Sequence, residues 1–158
     1  MFFMSLSELR EYFRHVGDGL GLGIDAGIME TVVALTANGI PTASSCEGHA
    51  DRGLPYPWVA ISHRQPNRAL EGEVDPLQGA LKVLNEPVYP RLEALLKEFY
   101  AQRKYPVQLN LVRLGLADSR LMPDVGDNHR RTDLLKPRQA EMQAFTAFLL
   151  ERARQSGK

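Results

Sequence analysis

The segment IPTASSCEGHADRGLPYPWVAISH, residues 40–63, carries both a strand pattern and a dense group of reactive side chains. Residues 40–45 and 58–62 are short runs with strand character, and the residues between them include two glycines and two prolines. Short runs of this kind, separated by Gly and Pro, predict two strands that are joined by a loop. We therefore take this segment as the start of the predicted sheet.

Helical patterns lie on both sides of this segment. Ser5 and Glu8 form a capping-box pattern before a first predicted helix, and Asp25 is a suitable N-cap for a second helix that ends at Asn38-Gly39. Three more groups of apolar residues have helical spacing: Leu77, Leu81 and Leu84; Leu92, Leu95, Leu96 and Phe99; Met142, Phe145, Phe148 and Leu149. Residues 106–114 predict a further strand, and residues 117–136 predict a polar loop.

The alternation of helical and strand periods predicts an α/β (or α+β) protein with a small mixed β-sheet flanked by helices. A length of 158 residues fits a single domain over residues 1–158, which is large enough to bury its own core. The last residues are polar, so we expect the terminal helix to fray from about residue 151.

Composition limits the classes of partner. The chain has 19 Lys plus Arg and 19 Asp plus Glu, so no overall field attracts it to nucleic acid or to an anionic membrane. RNA binding then requires a local basic patch. The first residues lack the apolar core of a signal peptide, and no segment has the length of a membrane span. With a single cysteine, the chain fits a reducing cytoplasm.

The candidate site is centred on the only cysteine of the chain, Cys46. Alternation along a strand predicts that Thr42, Ser44 and Cys46 share one face, while Ala43 and Ser45 share the other. Gly48 allows a tight turn that returns His49 toward Cys46, and His63 ends the second strand. We therefore expect Cys46, His49 and His63 to converge.

Three interpretations of this group remain open. Histidine could lower the pKa of the thiol and create a nucleophile, with Asp25 or Glu47 orienting the imidazole. The same sulfur, nitrogen and carboxylate donors also match the preferences of zinc, although one Cys-x-x-His pair is weak evidence and we assign no metal ligands from sequence. A structural role is the third interpretation, with Cys46 as a small buried side chain and Asp25 as a helix cap.

Residues outside the loop extend the candidate list. Trp58 could contact a substrate or fill the core, and Ser44, Ser45 and Glu47 line the same predicted pocket. Arg130 and Arg131 could clamp a phosphate or carboxylate, or form local pairs with Asp in a solvated loop; Arg113 and Arg120 are weaker candidates for an anion site. The Gly-x-Gly-x-Gly run over residues 19–23 follows an amphipathic helix instead of a strand, so it lacks the context of a nucleotide or S-adenosylmethionine loop.

Several short motifs resemble, in order, the N-terminal pattern of the wybutosine-synthesis tRNA methyltransferase family. They are Asp25-x-x-Ile28, Val32, Asn38, Thr42-x-Ser44-Ser45-Cys46-x-Gly48 and Trp58-Val59-x-Ile61-Ser62-His63. The resemblance covers about forty residues. Glu47 and His49 stand where that family has serine and arginine, and the second half of the chain shows no match. The resemblance implies an α/β scaffold, a pocket at this segment, S-adenosylmethionine as the cofactor and a modified guanosine of tRNA as the substrate.

The sequence thus predicts a ligand or catalytic pocket, with three classes of function open. An enzyme of methyltransferase or modified-nucleoside type would place Cys46, His49, His63 and Asp25 at its catalytic centre. A binding module would hold a metal, nucleotide or RNA without turnover. An interaction protein would use the same residues only as part of the fold. Small-molecule or nucleoside binding is compatible with this pocket, no membrane partner is expected, and the oligomeric state is unknown.

Overall fold

The computed structural model describes residues 4–16, 23–62, 88–114 and 119–156. These residues form four α-helices, four β-strands and two short 3-10 helices. The α-helices are α1 (Leu6–Arg14), α2 (Ala26–Ala37), α3 (Val88–Tyr100) and α4 (Leu135–Ser156). The strands are β1 (Thr42–Cys46), β2 (Trp58–Ile61), β3 (Leu109–Arg113) and β4 (Ser119–Pro123), and the 3-10 helices are Gly126–Asn128 and Thr132–Leu134.

The first two helices begin where the sequence predicts. Ser5 Oγ accepts the N–H of Glu8 at 3.1 Å, and the Glu8 carboxylate accepts the N–H of Ser5 at 2.7 Å, so the capping box is confirmed. Helix α2 begins after Asp25 and ends at Asn38, followed by Gly39 at φ 78°. Asp25 occupies the N-cap position, but its side chain makes no capping hydrogen bond to α2. Its carboxylate is therefore used elsewhere.

The four strands form one sheet in the order β1-β2-β4-β3. The predicted α/β class, with a small sheet flanked by helices, is confirmed. Every strand pair in the described chain is antiparallel, whereas the sequence predicts a mixed sheet. Strand β4 lies inside residues 117–136, so the prediction of a polar loop there is wrong. All five of its residues pair with β3, and Arg120 and Leu121 also pair with β2. This pairing outweighs their weak strand pattern.

A β-bulge changes the predicted alternation along β1. Thr42 lies opposite Ile61, and Ser44 lies opposite Ala60, the next residue along β2. Because neighbouring residues of β2 point to opposite faces, the extra residue in β1 places Thr42 and Ser44 on different faces. The prediction that Thr42, Ser44 and Cys46 share a face is therefore wrong for Thr42. Ser44 and Cys46 remain on the face of Ala60 and Trp58.

The main core lies between one face of the sheet and helices α2, α3 and α4. Its largest completely buried side chains include Ile28, Leu35, Leu92, Leu109, Leu121, Met142, Phe145 and Leu149. Helix α1 packs on α2 through a second apolar cluster that contains Leu9 and Phe13. Helix α4 continues past residue 151 to Ser156, beyond the point where the sequence predicts fraying. No helix in the described residues is long and apolar enough to cross a membrane.

The predicted helical residues Leu77, Leu81 and Leu84 lie outside the described residues. The following helix, α3, begins at Val88 and contains Pro90 in its first turn, where the missing N–H of proline is tolerated. The predicted strand over residues 106–114 is confirmed in its central part as β3.

Candidate functional site

Three chemically different side chains meet where β1 ends beside the start of α2. The ligand atoms of Asp25, Cys46 and His49 all lie within 4.8 Å of one another, and we call this group the Asp25–Cys46–His49 cluster. Asp25 Oδ2 is 3.4 Å from His49 Nε2. All three residues are half-buried, so the cluster is partly shielded from solvent without being sealed. The predicted approach of Cys46 and His49 is confirmed, and Asp25 lies beside His49, as expected of a carboxylate that orients the imidazole.

An exchange of hydrogen bonds between Asp25 and Glu47 positions the cluster. Glu47 Oε2 accepts the N–H of Gly27 at 3.0 Å, so Glu47 supplies the helix cap that Asp25 does not. In return, Asp25 Oδ2 accepts the backbone N–H of Glu47 at 3.1 Å. Because both bonds join α2 to the end of β1, the Asp25 carboxylate is turned toward Cys46 and His49. The predicted role of Asp25 as a helix cap is therefore corrected.

The turn at Gly48 gives the loop its close fit. Gly48 has φ +88°, and a Cβ atom there would lie 2.7 Å from the carbonyl carbon of Tyr56 and 2.9 Å from Cδ1 of Leu135. Only glycine meets both requirements without strain. The next residue is also fixed, because His49 N–H donates to the carbonyl of Leu54 at 3.0 Å. The loop thus holds the His49 backbone at a defined distance from Cys46.

Two side chains of helix α4 donate hydrogen bonds to backbone carbonyls of the loop between β1 and β2. Gln139 Nε2 donates to the carbonyl oxygens of Glu47 at 3.0 Å and Gly48 at 3.5 Å. Arg138, which is 2% exposed, donates to the carbonyls of Pro55 at 3.3 Å and Asn128 at 2.8 Å. Burial lowers the pKa of the Arg138 guanidinium from its ordinary value. Gln139 and Arg138 therefore join helix α4 to the loop between β1 and β2, and Arg138 also joins it to the segment that contains Asn128.

Electrostatics oppose the formation of a free thiolate at Cys46. Burial raises the pKa of its thiol, and the nearby Asp25 and Glu47 carboxylates raise it further. The hydrogen bond from Gly48 N–H to Cys46 Sγ, at 3.4 Å, acts in the opposite direction but is outweighed. This net shift is opposite in direction to the one that the histidine hypothesis expects, so the structure does not support a lowered pKa of the Cys46 thiol. An unassisted cysteine nucleophile is not favoured.

The same arrangement suits a metal ion better. Zinc binds Cys, His and carboxylate ligands at 2.0–2.3 Å, so tetrahedral geometry requires ligand atoms about 3.3–3.8 Å apart. The Asp25–His49 separation of 3.4 Å lies in that range, and the full cluster is within 4.8 Å. A positive ion would also offset the proximity of two carboxylates to the sulfur.

Other predicted residues have different positions. His63 lies outside the described residues, so its convergence with Cys46 stays a prediction. The preceding residue, Ser62, donates its N–H to the carbonyl of Pro41. This bond lies at one end of the β1–β2 pair, and Cys46 lies at the other end. Trp58 lies directly across from Cys46 on β2.

The two predicted serines lie on opposite faces of the sheet. Ser44 is exposed and lies opposite Ala60, so it shares the face of Cys46. Ser45 lies opposite the buried Val59 and therefore faces the core side. The bulge in β1 precedes both residues and does not change their alternation with Cys46. Only Ser44 is placed to face a molecule bound beside Cys46.

The predicted arginine clamp belongs to a separate loop. Arg130 and Arg131 are exposed, and Arg131 forms an ion pair with Asp133 only two residues away. This is the local pairing that the sequence offers as the alternative to an anion site. Sequence reasoning missed Arg138 and Gln139. The position of Arg138 could have been found, since it precedes Met142, Phe145 and Leu149 at spacings of four, seven and eleven residues on the buried stripe of α4.

Comparisons of the chain with protein-family models, with curated proteins and with solved structures give no match. The resemblance to the wybutosine-synthesis family therefore stays a prediction.

Proposed function

We propose that this protein binds a divalent zinc-type ion through Asp25, Cys46 and His49 and uses it for catalysis on a small molecule. The observation that carries the proposal is the approach of three different donors, one oxygen, one sulfur and one nitrogen, to within 4.8 Å. A thiolate favours zinc over magnesium or calcium, which prefer oxygen ligands. The imidazole and carboxylate complete a set that zinc accepts.

The number of ligands favours a catalytic ion over a structural one. Structural zinc sites are usually closed by four protein ligands, whereas catalytic sites keep one position for water or substrate. The described residues supply three ligands, and the side chains of Asp25 and His49 are 31% and 17% exposed. Water or substrate therefore has access to the fourth position. Zinc there would lower the pKa of a bound water or polarise a substrate oxygen.

The surrounding bonds also fit a metal site. Ligand side chains of metal ions are normally held by further hydrogen bonds, and removal of such supports weakens metal binding. Asp25 is held in this way by the N–H of Glu47, and the loop that carries His49 is held by Gln139. These supports preorganise the donors and reduce the ordering that binding would otherwise require.

Methyl transfer from S-adenosylmethionine and action on a modified nucleoside remain predictions of the sequence resemblance. A binding module without turnover uses the same metal site and differs only in the absence of a reaction. The proposal is therefore tested first at the metal and not at a chosen substrate.

The deciding experiment is zinc titration of the chelator-treated protein, followed by native mass spectrometry and elemental analysis. We expect one zinc per chain. His49→Gln and Cys46→Ser should each weaken binding by at least about a hundredfold, because each removes a direct ligand. His129→Gln is the matched control, since His129 is exposed and lies outside the cluster; it should bind zinc like the parent protein.

Cobalt substitution identifies the ligands without any activity assay. Cobalt bound by Cys46 should give a thiolate-to-metal charge-transfer band that is lost in Cys46→Ser and kept in His129→Gln. Circular dichroism of each variant shows whether it is folded. Zinc binding that is absent in the parent protein, or unchanged in both ligand variants, would overturn the proposal.

A further inference from the structure

The described sheet has two edge strands, and β3 is the more regular of them. In the order β1-β2-β4-β3, no described strand lies on the outer side of β3. Strand β1, at the other edge, is interrupted by a bulge, whereas all five residues of β3 pair with β4 in one unbroken register. A regular edge strand without a bulge is a template to which another strand can be added.

The hydrogen bonds at the start of β3 show which way its backbone groups point. The carbonyl of Gln108 accepts the N–H of Asp124, on the β4 side, at 2.7 Å. The N–H of Leu109 belongs to the same peptide group and therefore points away from β4, where it donates to the Tyr100 hydroxyl at 2.7 Å. Pro123, the β4 partner of Leu109, has no N–H to offer, which agrees with this direction.

Alternation continues this pattern along the strand. In an antiparallel ladder, the two residues of a pair either exchange both of their hydrogen bonds or point these groups away from each other, and the two kinds of pair alternate. Asn110 and Val112 are therefore directed at β4, whereas Leu111 and Arg113 point their N–H and C=O groups outward. Leu111 and Arg113 can thus pair with a further strand while the pairing with β4 is kept.

Apolar surface accompanies this outer edge. A groove of about 570 Å³ lies between α3 and β3, and its walls include Leu96, Leu111 and Val112. Leu111 and Val112 are half-buried, and Leu114, which directly follows β3, is 52% exposed. Leu114 is the only exposed large hydrophobic side chain in the described part of the chain. Contiguous apolar surface of this kind is typical of an interaction surface.

We propose that β3 pairs with β3 of a second copy of this chain, antiparallel and about a twofold axis at Val112. The two four-stranded sheets then join edge to edge into one continuous sheet. A twofold axis makes such a contact self-complementary, because the same residues come from both copies.

The hydrogen bond between Leu109 and Tyr100 selects the register. Pairing centred on Leu111 would set Leu109 opposite Arg113 of the second copy and would need the Leu109 N–H, which Tyr100 already holds. Pairing centred on Val112 sets Leu111 opposite Arg113 of the second copy, so both residues exchange their hydrogen bonds and the Tyr100 bond is kept. In this register the two Val112 side chains face each other, with Leu114 of each copy as a diagonal neighbour.

Charge favours a second copy over a strongly charged peptide as the partner. The groove walls carry one acidic and one basic side chain, Glu93 and Lys97, and Glu93 lies 3.9 Å from Arg113. The Glu93 and Arg113 side chains are more than half exposed, at 57% and 63%. An axis at Val112, the residue before Arg113, sets the Glu93–Arg113 pair of one copy beside that of the other in opposite order. Opposite charges then meet across the contact, whereas an acidic or a basic peptide would meet a like charge.

Sedimentation velocity of the full chain at several protein concentrations tests the dimer. We expect a reversible equilibrium between monomer and dimer. Arg113→Glu should raise the dimer dissociation constant at least about tenfold, because acidic side chains then meet around the axis. Combining Glu93→Arg with Arg113→Glu restores the alternation of charges and should return the constant to within about threefold of the parent value. Arg10→Glu is the matched control, since it changes an exposed ion pair on α1, and should have no effect.

Hydrogen exchange of single amides tests the pairing residue by residue. Exchange at Leu111 and Arg113 should slow at least about tenfold as the protein concentration rises, because only the dimer bonds their outward N–H groups. Asn110 and Val112 are internal controls, since their N–H groups are directed at β4 in monomer and dimer alike. Circular dichroism shows whether each variant is folded.

The outcomes are independent of the metal proposal. The Asp25–Cys46–His49 cluster lies at the end of β1, at the opposite edge of the sheet, so zinc-loaded and chelator-treated protein should dimerise equally. A monomer at every concentration overturns the inference, whether solvent or another segment of the chain covers the β3 edge. A dimer that tolerates Arg113→Glu, or that leaves the Leu111 and Arg113 amides unprotected, overturns it as well, because the copies then meet elsewhere.

Discussion

The Asp25–Cys46–His49 cluster and the carboxylate of Glu141 are both polar groups beside the sheet, but their hydrogen bonding differs. Glu141 is completely buried, and its two oxygens accept the Tyr100 hydroxyl at 2.7 Å and Arg103 at 2.6–3.2 Å. Tyr100 in turn accepts the N–H of Leu109 at 2.7 Å. Every strong bond that this carboxylate needs is therefore made within the protein.

The cluster is less complete. Its three donors are half-buried and close together, yet Asp25 and His49 meet only at 3.4 Å. Burial, and then the nearby carboxylates, raise the pKa of the thiol. A structural network satisfies its charges, as Glu141 does with Arg103. A site that awaits a cation instead brings donors with lone pairs together. Completeness of hydrogen bonding, more than burial, therefore distinguishes the two regions.

The largest expected effect is on the structural network. Arg103→Ala leaves the carboxylate of Glu141 buried with only Tyr100 as a partner, and should lower the free energy of unfolding by about 3–5 kcal/mol. The loss of unfolding free energy should be near the lower end of this range, because the Arg103 side chain is 34% exposed. Urea denaturation measures the change.

The control for this prediction is Arg10→Ala. Arg10 forms a similar two-point ion pair with Glu30, but both side chains are exposed, by 36% and 50%. Its loss should cost less than about 1 kcal/mol. Equal losses in the two variants would show that Glu141 contributes no more than a surface pair.

The next prediction concerns the backbone of the cluster loop. Gly48→Ala places a Cβ at φ +88° and 2.7 Å from the Tyr56 backbone, so strain and overpacking should cost about 3 kcal/mol. Gly53→Ala is the matched control, because Gly53 also has positive φ, +61°, but nothing lies within 4 Å of its added Cβ. It should cost about 1–2 kcal/mol. Thermal unfolding of both variants checks the difference, which would vanish if the loop relaxes freely.

A third prediction compares stability with and without metal. Zinc at a hundredfold excess over its dissociation constant should stabilise the parent protein by about 2.7 kcal/mol, because the ion binds the folded state. His49→Gln should lose this increment while its stability in chelator changes by less than about 1 kcal/mol, since His49 is not part of the core. A large loss of stability in chelator would instead assign His49 a structural role.

The sequence predicts part of the site because two of its donors are close in the chain and the third lies at the recognisable start of a helix. Cys46 and His49 are three residues apart with a glycine between them, so a tight turn is expected to bring them together. Asp25 stands directly before a recognisable helix, and this position identifies it as a candidate. The exchange of caps between Asp25 and Glu47 joins residues that are 22 apart, and no local rule predicts it.

The fold shows the same division between local and distant determinants. Capping and helical spacing identify α1 and α2, because the determinants of each are local. Strand β4 has a weak pattern of its own and is defined by its two neighbours, so the sequence predicts a loop there. The bulge in β1 has the same origin, since it exists only relative to the register of β2. Interactions between distant elements therefore account for the errors.

The smallest expected effect tests the exchange of caps itself. Glu47→Ala removes the carboxylate that accepts the Gly27 N–H at 3.0 Å, and should cost about 1 kcal/mol, as for the loss of an ordinary N-cap. Glu47→Gln keeps an acceptor and loses only the favourable charge at the helix N-terminus, so it should cost about 0.3–1 kcal/mol. Because the released Asp25 can then turn toward Gly27, zinc affinity should fall in Glu47→Ala more than in Glu47→Gln. Equal zinc affinities in the two variants would show that Asp25 holds its position without the exchange.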